Sequence, residues 1–176
     1  MKIALMILIF LFSNPDLINY TNVDYHFSVN FPKDYKEERE KLDEKFASIE
    51  YIRMSGSNKI TNGLLNGNLI YRVICYKFKR KPIINANKLN FHDVIMAYTK
   101  RQNESSFTAN SLTVTSKQEN KDTLYYILTN ESNGISEHRK IIIQDSSTYT
   151  LSIMTNKDLF KTEHIQDFFN SMKIKK

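Results

Sequence analysis

At 176 residues the chain is long enough for one domain and too short for two of ordinary size. Its 41% hydrophobic and 12% aromatic content excludes a disordered chain, and a single cysteine, Cys75, excludes an internal disulfide. The net charge of +6 comes from 25 basic and 19 acidic side chains that interleave, with Lys77, Lys79, Arg80 and Lys81 as the tightest basic run, so it reads as solvated surface charge.

The chain opens with Met1-Lys2, an apolar run from Ile3 to Phe12, then Ser13, Asn14 and Pro15. One early positive charge ahead of about ten apolar residues is the pattern of a secretory signal. The run is short of the roughly 20 residues a membrane-spanning helix needs. We therefore expect a signal peptide over residues 1–19, cut somewhere in 13–19, and a single domain over 20–176. The expected location is secreted or periplasmic in a bacterium. Membrane association would come only from an uncleaved leader, and export argues against a nucleic-acid partner.

Tyr25, Phe27, Val29 and Phe31 alternate with polar residues, the period of a half-buried strand, and Pro32 should end its ladder. Asp34 and Glu37 resemble a capping box, and Tyr35, Leu42 and Phe46 form a thin apolar stripe, so a short polar helix is expected there. Residues 47–54 and 59–65 are weaker strand candidates, with Ser55-Gly56-Ser57 and Asn62-Gly63 as turns. The run Leu69–Phe78 is rich in β-branched and aromatic residues and predicts a strand in which Cys75 is a small buried hydrophobe. Asn90 can cap a helix whose Phe91, Val94, Ile95 and Tyr98 share one face. Strands follow at Ser111–Thr115, Thr123–Thr129 and His138–Gln144, the last two joined by the hairpin signal Asn133-Gly134. Asp145-Ser146-Ser147 marks a turn before a strand over Thr148–Met154, and Ile165, Phe168, Phe169 and Met172 give a closing helix one apolar face. Short turns between successive strands make them antiparallel. The expected fold is α+β: an antiparallel sheet of about six strands with helices packed on it.

Three motifs carry a resemblance. Phe27-x-Val29-x-Phe31-Pro32 opens the domain, Tyr149-x-Leu151-x-Ile153 forms the last strand, and Phe168-Phe169-x-Ser171-Met172-x-Ile174 ends the last helix. Their order resembles the PsbP-like (Mog/PsbP) α-β-α sandwich family, including its small exported bacterial members, over residues 25–174. The resemblance implies that fold and a non-catalytic adaptor role. It supplies no contact residue, because the shared motifs are short and hydrophobic.

The search for reactive groups assigns no catalytic, cofactor-binding or metal-binding residue. His26 falls on the polar face of a strand, and His92 with Asp93 opens a helix, where the dipole explains the aspartate. His138 is followed by Arg139 and Lys140, a cationic setting for a ligand or base, and His164 adjoins the apolar face of the last helix. No pair stands at metal-ligand spacing. Nucleophile elbows and phosphate loops are missing from a chain with only 4 glycines. Asn19, Asn103 and Asn130 match the glycosylation acceptor pattern, which arises readily by chance in an Asn-rich chain. The expected function is an exported, non-catalytic binding or accessory protein with a protein or envelope partner and no cofactor, engaged through sheet edges and aromatic loops. One alternative is an apolar small-molecule or lipid carrier, suggested by 10 Tyr and 11 Phe. Another is a hydrolase with a scattered His/Asp/Ser set.

Overall fold

Long stretches of period-two alternation dictate that strands dominate this chain. The computed structural model describes residues 17–62, 65–82, 90–159 and 161–175. In chain order it contains β1 (Leu17–Asn22), β2 (Phe27–Pro32), β3 (Lys36–Asp43), β4 (Ala47–Asn62) and β5 (Leu65–Arg80). Helix α1 (Phe91–Ala109) follows, then β6 (Thr113–Asn120), β7 (Thr123–Asn130), β8 (Ile135–Gln144) and β9 (Ser147–Asn156). A 3-10 turn over Lys157–Leu159, helix α2 (Thr162–Ser171) and the two-residue β10 (Lys173–Ile174) complete it.

Seven strands form one antiparallel sheet in the order β3-β4-β5-β9-β8-β7-β6. Its spine is the β4–β5 hairpin, paired without a break from Ala47–Arg80 to Asn62–Leu65. A second sheet, β1-β2-β10, places β2 between the two ends of the described chain. Because side chains alternate across a strand, β5 feeds two cores. Leu69, Tyr71, Val73 and Cys75 face one side, together with Ile52 and Met54 of β4 and Tyr149, Leu151 and Ile153 of β9. The small sheet and α2 close this side with Phe27, Val29, Phe31, Phe168 and Phe169. The opposite side holds Ala47, Ile49, Phe78, Leu124, Tyr126, Leu128, Ile141 and Ile143, and α1 covers it with Ile95 and Phe107. Burying each such side chain contributes about 1.5–3 kcal/mol.

Several expectations are met. Asn90 accepts a hydrogen bond from the His92 amide at 3.1 Å and caps α1. Replacing Asn90 by Ala is expected to lower stability by about 1 kcal/mol in a urea unfolding titration, since one helix-end donor loses its partner. Cys75 is buried, and burial pushes its thiol well above the usual range. The Asn133-Gly134 signal sits in the β7–β8 loop, with Gly134 at φ 67 in the left-handed region that glycine adopts without strain. Phe27, Val29, Phe31, Tyr149, Leu151, Ile153, Phe168 and Phe169 are all buried in the first core.

The fold class requires correction. Ten strands in two antiparallel sheets and two α-helices among the described residues make this a mostly-β protein, not an α-β-α sandwich on a six-stranded sheet. The expected polar helix near residues 34–46 is the edge strand β3, with every residue exposed. Cross-strand pairing with β4 overrides its helix-like pattern. Lys41 meets Glu50 at 2.9 Å, Arg53 meets Glu38 at 3.4 Å, and the Tyr51 hydroxyl donates to Glu40 at 2.5 Å. Each of these couples directly opposed residues. Glu37 accepts from Tyr20 and Arg39 and so caps nothing.

The expected turn at Ser55-Gly56-Ser57 runs straight through β4. There a Cβ on Gly56 would come within 3.0 Å of Pro32, so glycine serves close sheet contact. The other expected turn ends at Gly63, outside the described residues. The strand expected at Ser111 begins at Thr113, after a left-handed Ser111 at φ 53. Residues 1–16 of the expected leader lie outside the described residues, while Leu17, Ile18 and Asn19 belong to β1.

Candidate functional site

The core beneath α1 is apolar at both ends and polar in the middle. The buried stripe of α1 is Ile95, Thr99, Asn103 and Phe107, one residue every four. Beneath it runs a row of opposed sheet residues: Ser55 on β4, Arg72 on β5, Ser152 on β9, Arg139 on β8 and Tyr126 on β7. An adjacent row includes Arg53, Ile74 and Thr150. The two polar middles enclose a recess of about 180 Å³. Its lining includes Arg53, Arg72, Thr99, Arg139, Thr150 and Ser152, with Tyr76 and Tyr98 as aromatic walls and Gln102 and Ser106 from α1.

The three arginines are held differently. Arg139 is deeply buried and all three of its nitrogens are engaged: Nε and Nη2 each lie 2.7 Å from Glu137 Oε1, and Nη1 donates to Asn103 Oδ1 at 2.7 Å. Its guanidinium also lies over the Phe107 ring at 4.9 Å. Asn103 is oriented in turn by donating to the Thr99 carbonyl at 2.8 Å. Arg53 stands at the rim, over the Tyr51 ring and bridged to the exposed Glu38.

Arg72 is half-buried between them, with no carboxylate within ion-pair distance among the described residues. Burial pushes its guanidinium below the ordinary value; Glu137 opposes that, while Arg139 and Arg53 add to it. A guanidinium nevertheless stays protonated in proteins. Above it, Thr99 is 4% exposed and its Oγ1 has no hydrogen-bond partner. The recess thus holds one uncompensated cation beside one unsatisfied hydroxyl.

Other hollows are less organised. An open dish of about 980 Å³ near the start of α1 is lined by His92, Asp93, Glu119, Asp122 and Asp145. His92 Nε2 lies 3.3 Å from Asp122 there. Among the described residues no group of three His, Cys, Asp or Glu side chains is placed to hold a metal ion. A shallow groove of about 320 Å³ beside α2 exposes parts of Ile165, Phe169 and Tyr125.

The four histidines lie apart. His26 occupies the β1–β2 turn at φ 56 and is exposed, and His92 lies in the first turn of α1. His138 faces the first core, away from Arg139, with Nδ1 sharing a 2.6 Å hydrogen bond with the Tyr125 hydroxyl. His164 is half-buried on α2. Burial lowers the pKa of both His138 and His164, and Lys161 lowers that of His164 further. Of the acceptor-pattern asparagines, Asn103 is buried on the sheet-facing side of α1.

The lowered imidazole pKa values have a consequence for stability. The folded protein binds these protons less readily than the unfolded chain, so the contribution is complete above about pH 6.5 and fades as pH falls. Stability in urea is expected to drop between pH 7.5 and pH 5.5. The drop should shrink in His138→Gln, with His164 sustaining the remainder. An unchanged drop in that variant would assign the acid sensitivity elsewhere.

Sequence reasoning placed none of Arg53, Arg72 or Thr99 in a site and treated Arg139 only as a neighbour of His138. The available signal was Arg72, a charge set among the apolar residues of Leu69–Cys75. No family model, characterised protein or solved structure matches this chain. The fold defines an antiparallel β protein whose larger sheet is covered by α1 on one face and by the small sheet with α2 on the other.

Proposed function

We propose that this is a non-catalytic binding or accessory protein acting outside the cytoplasm. The observation that carries the reading is the content of the recess under α1: fixed donors and a spare positive charge, with no histidine or cysteine among its lining residues. Such a set holds a ligand, whereas a hydrolase needs a nucleophile within reach of a base. The leader pattern over residues 1–19 supports export. A PsbP-like relationship, proposed on the three motifs of the first core, makes an adaptor role the expected one. The partner is a protein or an envelope component.

The test is cross-linking of the full chain in its own cells, followed by mass spectrometry of the adducts. A reproducible partner is the expected result. Recovery of the chain alone, as a monomer with no adduct, would overturn the reading. A lipid-carrier function would instead show as co-purifying ligand in native mass spectrometry.

A further inference from the structure

We propose that the recess between α1 and the sheet is a carboxylate-binding site in which Arg72 supplies the guanidinium fork. The inference rests on the binding-protein reading and names the chemistry of the ligand. Charge decides first. Arg139 is matched by Glu137 at 2.7 Å and Arg53 by Glu38 at 3.4 Å, so Arg72 is the recess arginine without a carboxylate at ion-pair distance among the described residues. One uncompensated guanidinium calls for one negative charge. A phosphoryl dianion would require a second free cation.

Geometry agrees. A guanidinium presents parallel N–H donors that match the two oxygens of a carboxylate, and the bond strengthens where water is partly excluded. Thr99 Oγ1, buried and without a partner, is a hydroxyl donor left over by the protein's own contacts. Ser152, 1% exposed, stands opposite Arg72 in the sheet register and offers another. Size agrees as well. About 180 Å³ is below the roughly 300–1,000 Å³ of pockets that enclose a whole small molecule. Only the acidic head group fits, and the remainder of the ligand leaves past the exposed Arg53 and Gln102. The carboxylate can therefore belong to a small organic acid or to the carboxyl terminus of a peptide.

The experiment is an NMR titration of the ¹⁵N-labelled full chain at fixed ionic strength, following the Arg72 Nε–Hε signal and the Thr99 and Ser152 amides. Acetate is the head-group probe, N-acetyl-trialanine the chain-end probe, and inorganic phosphate and chloride are the comparators. Saturable shifts with acetate are expected, weakened about tenfold or more in Arg72→Met, the scale of a lost charge-assisted hydrogen bond. Arg72→Lys, which keeps the charge and loses the fork, should fall between and carries the test if Arg72→Met does not fold. Tighter binding of the peptide than of acetate would assign a chain end, and equal binding a free acid.

Shifts that never saturate, that persist in Arg72→Met, or that chloride reproduces would overturn the site. Phosphate binding more tightly than acetate would overturn the carboxylate assignment. A flat titration beside a partner recovered by cross-linking would remove this inference alone. Saturable acetate binding with no partner would remove the partner reading and keep the site.

Discussion

Replacing Glu137 by Leu is expected to destabilise the protein by about 3–5 kcal/mol, because it leaves the Arg139 charge buried without a counter-ion. The side chains of Arg139 and Glu137 are 6% and 2% exposed, so water cannot take over the lost role. Asn103 still accepts from Arg139, but a neutral amide does not balance a charge. Equilibrium urea unfolding monitored by circular dichroism measures the loss. The double variant Glu137→Leu with Arg139→Met should regain most of it, since an apolar pair can replace a buried ion pair at little net cost. A double variant as unstable as the single one would show that packing, and not the stranded charge, sets the effect.

Phe168→Ala is the second large effect expected, a loss of about 3–5 kcal/mol from lost burial and the cavity left behind. Phe168 is 1% exposed, and its ring lies 5.0 Å from Tyr71, 5.7 Å from Phe169 and 6.3 Å from Phe31. It joins α2 to both sheets, so hydrogen exchange should show the amides of α2 and β10 losing protection first. The apolar exposed edge residue Val114, 42% exposed, is the control: Val114→Ala should change stability by less than about 0.5 kcal/mol. A similar loss for both variants would argue against the anchoring role of Phe168.

Much of the strand pattern was legible because alternation is written locally. Leu69, Tyr71 and Val73 declare a buried face whatever else the chain does, as do Tyr149, Leu151 and Ile153. The α1 cap and the β7–β8 turn were legible for the same reason, since Asn90 and Gly134 act within a few residues of themselves. The strand β3 was not, because its stability comes from β4: Lys41 needs Glu50, and Tyr51 needs Glu40, across a register that no window of residues 34–46 contains. The merger of two expected strands into β4 was hidden by Gly56, which reads as a turn until Pro32 is placed against it.

The recess was less legible still. Arg72, Thr99 and Arg139 are separated by 27 and 40 residues, and each alone is an ordinary polar residue. Only the sheet register and the four-residue stripe of α1 bring them together. What the sequence did contain was the anomaly that marks such places, Arg72 set among the apolar residues of Leu69–Cys75.

The small sheet ties the beginning of the described chain to its end. Phe27 pairs with Asn22 on one side and with Ile174 on the other, and the Lys175 amide donates to the His26 carbonyl at 2.8 Å. Ser171 Oγ accepts from the Asn30 amide at 3.0 Å, adding a second clasp. A growing polypeptide therefore leaves one greasy flank of its large sheet half-roofed until α2 and β10 have been made. That latch joins residues 141 positions apart, a long-range closure whose entropy cost must be met before its contacts reward it.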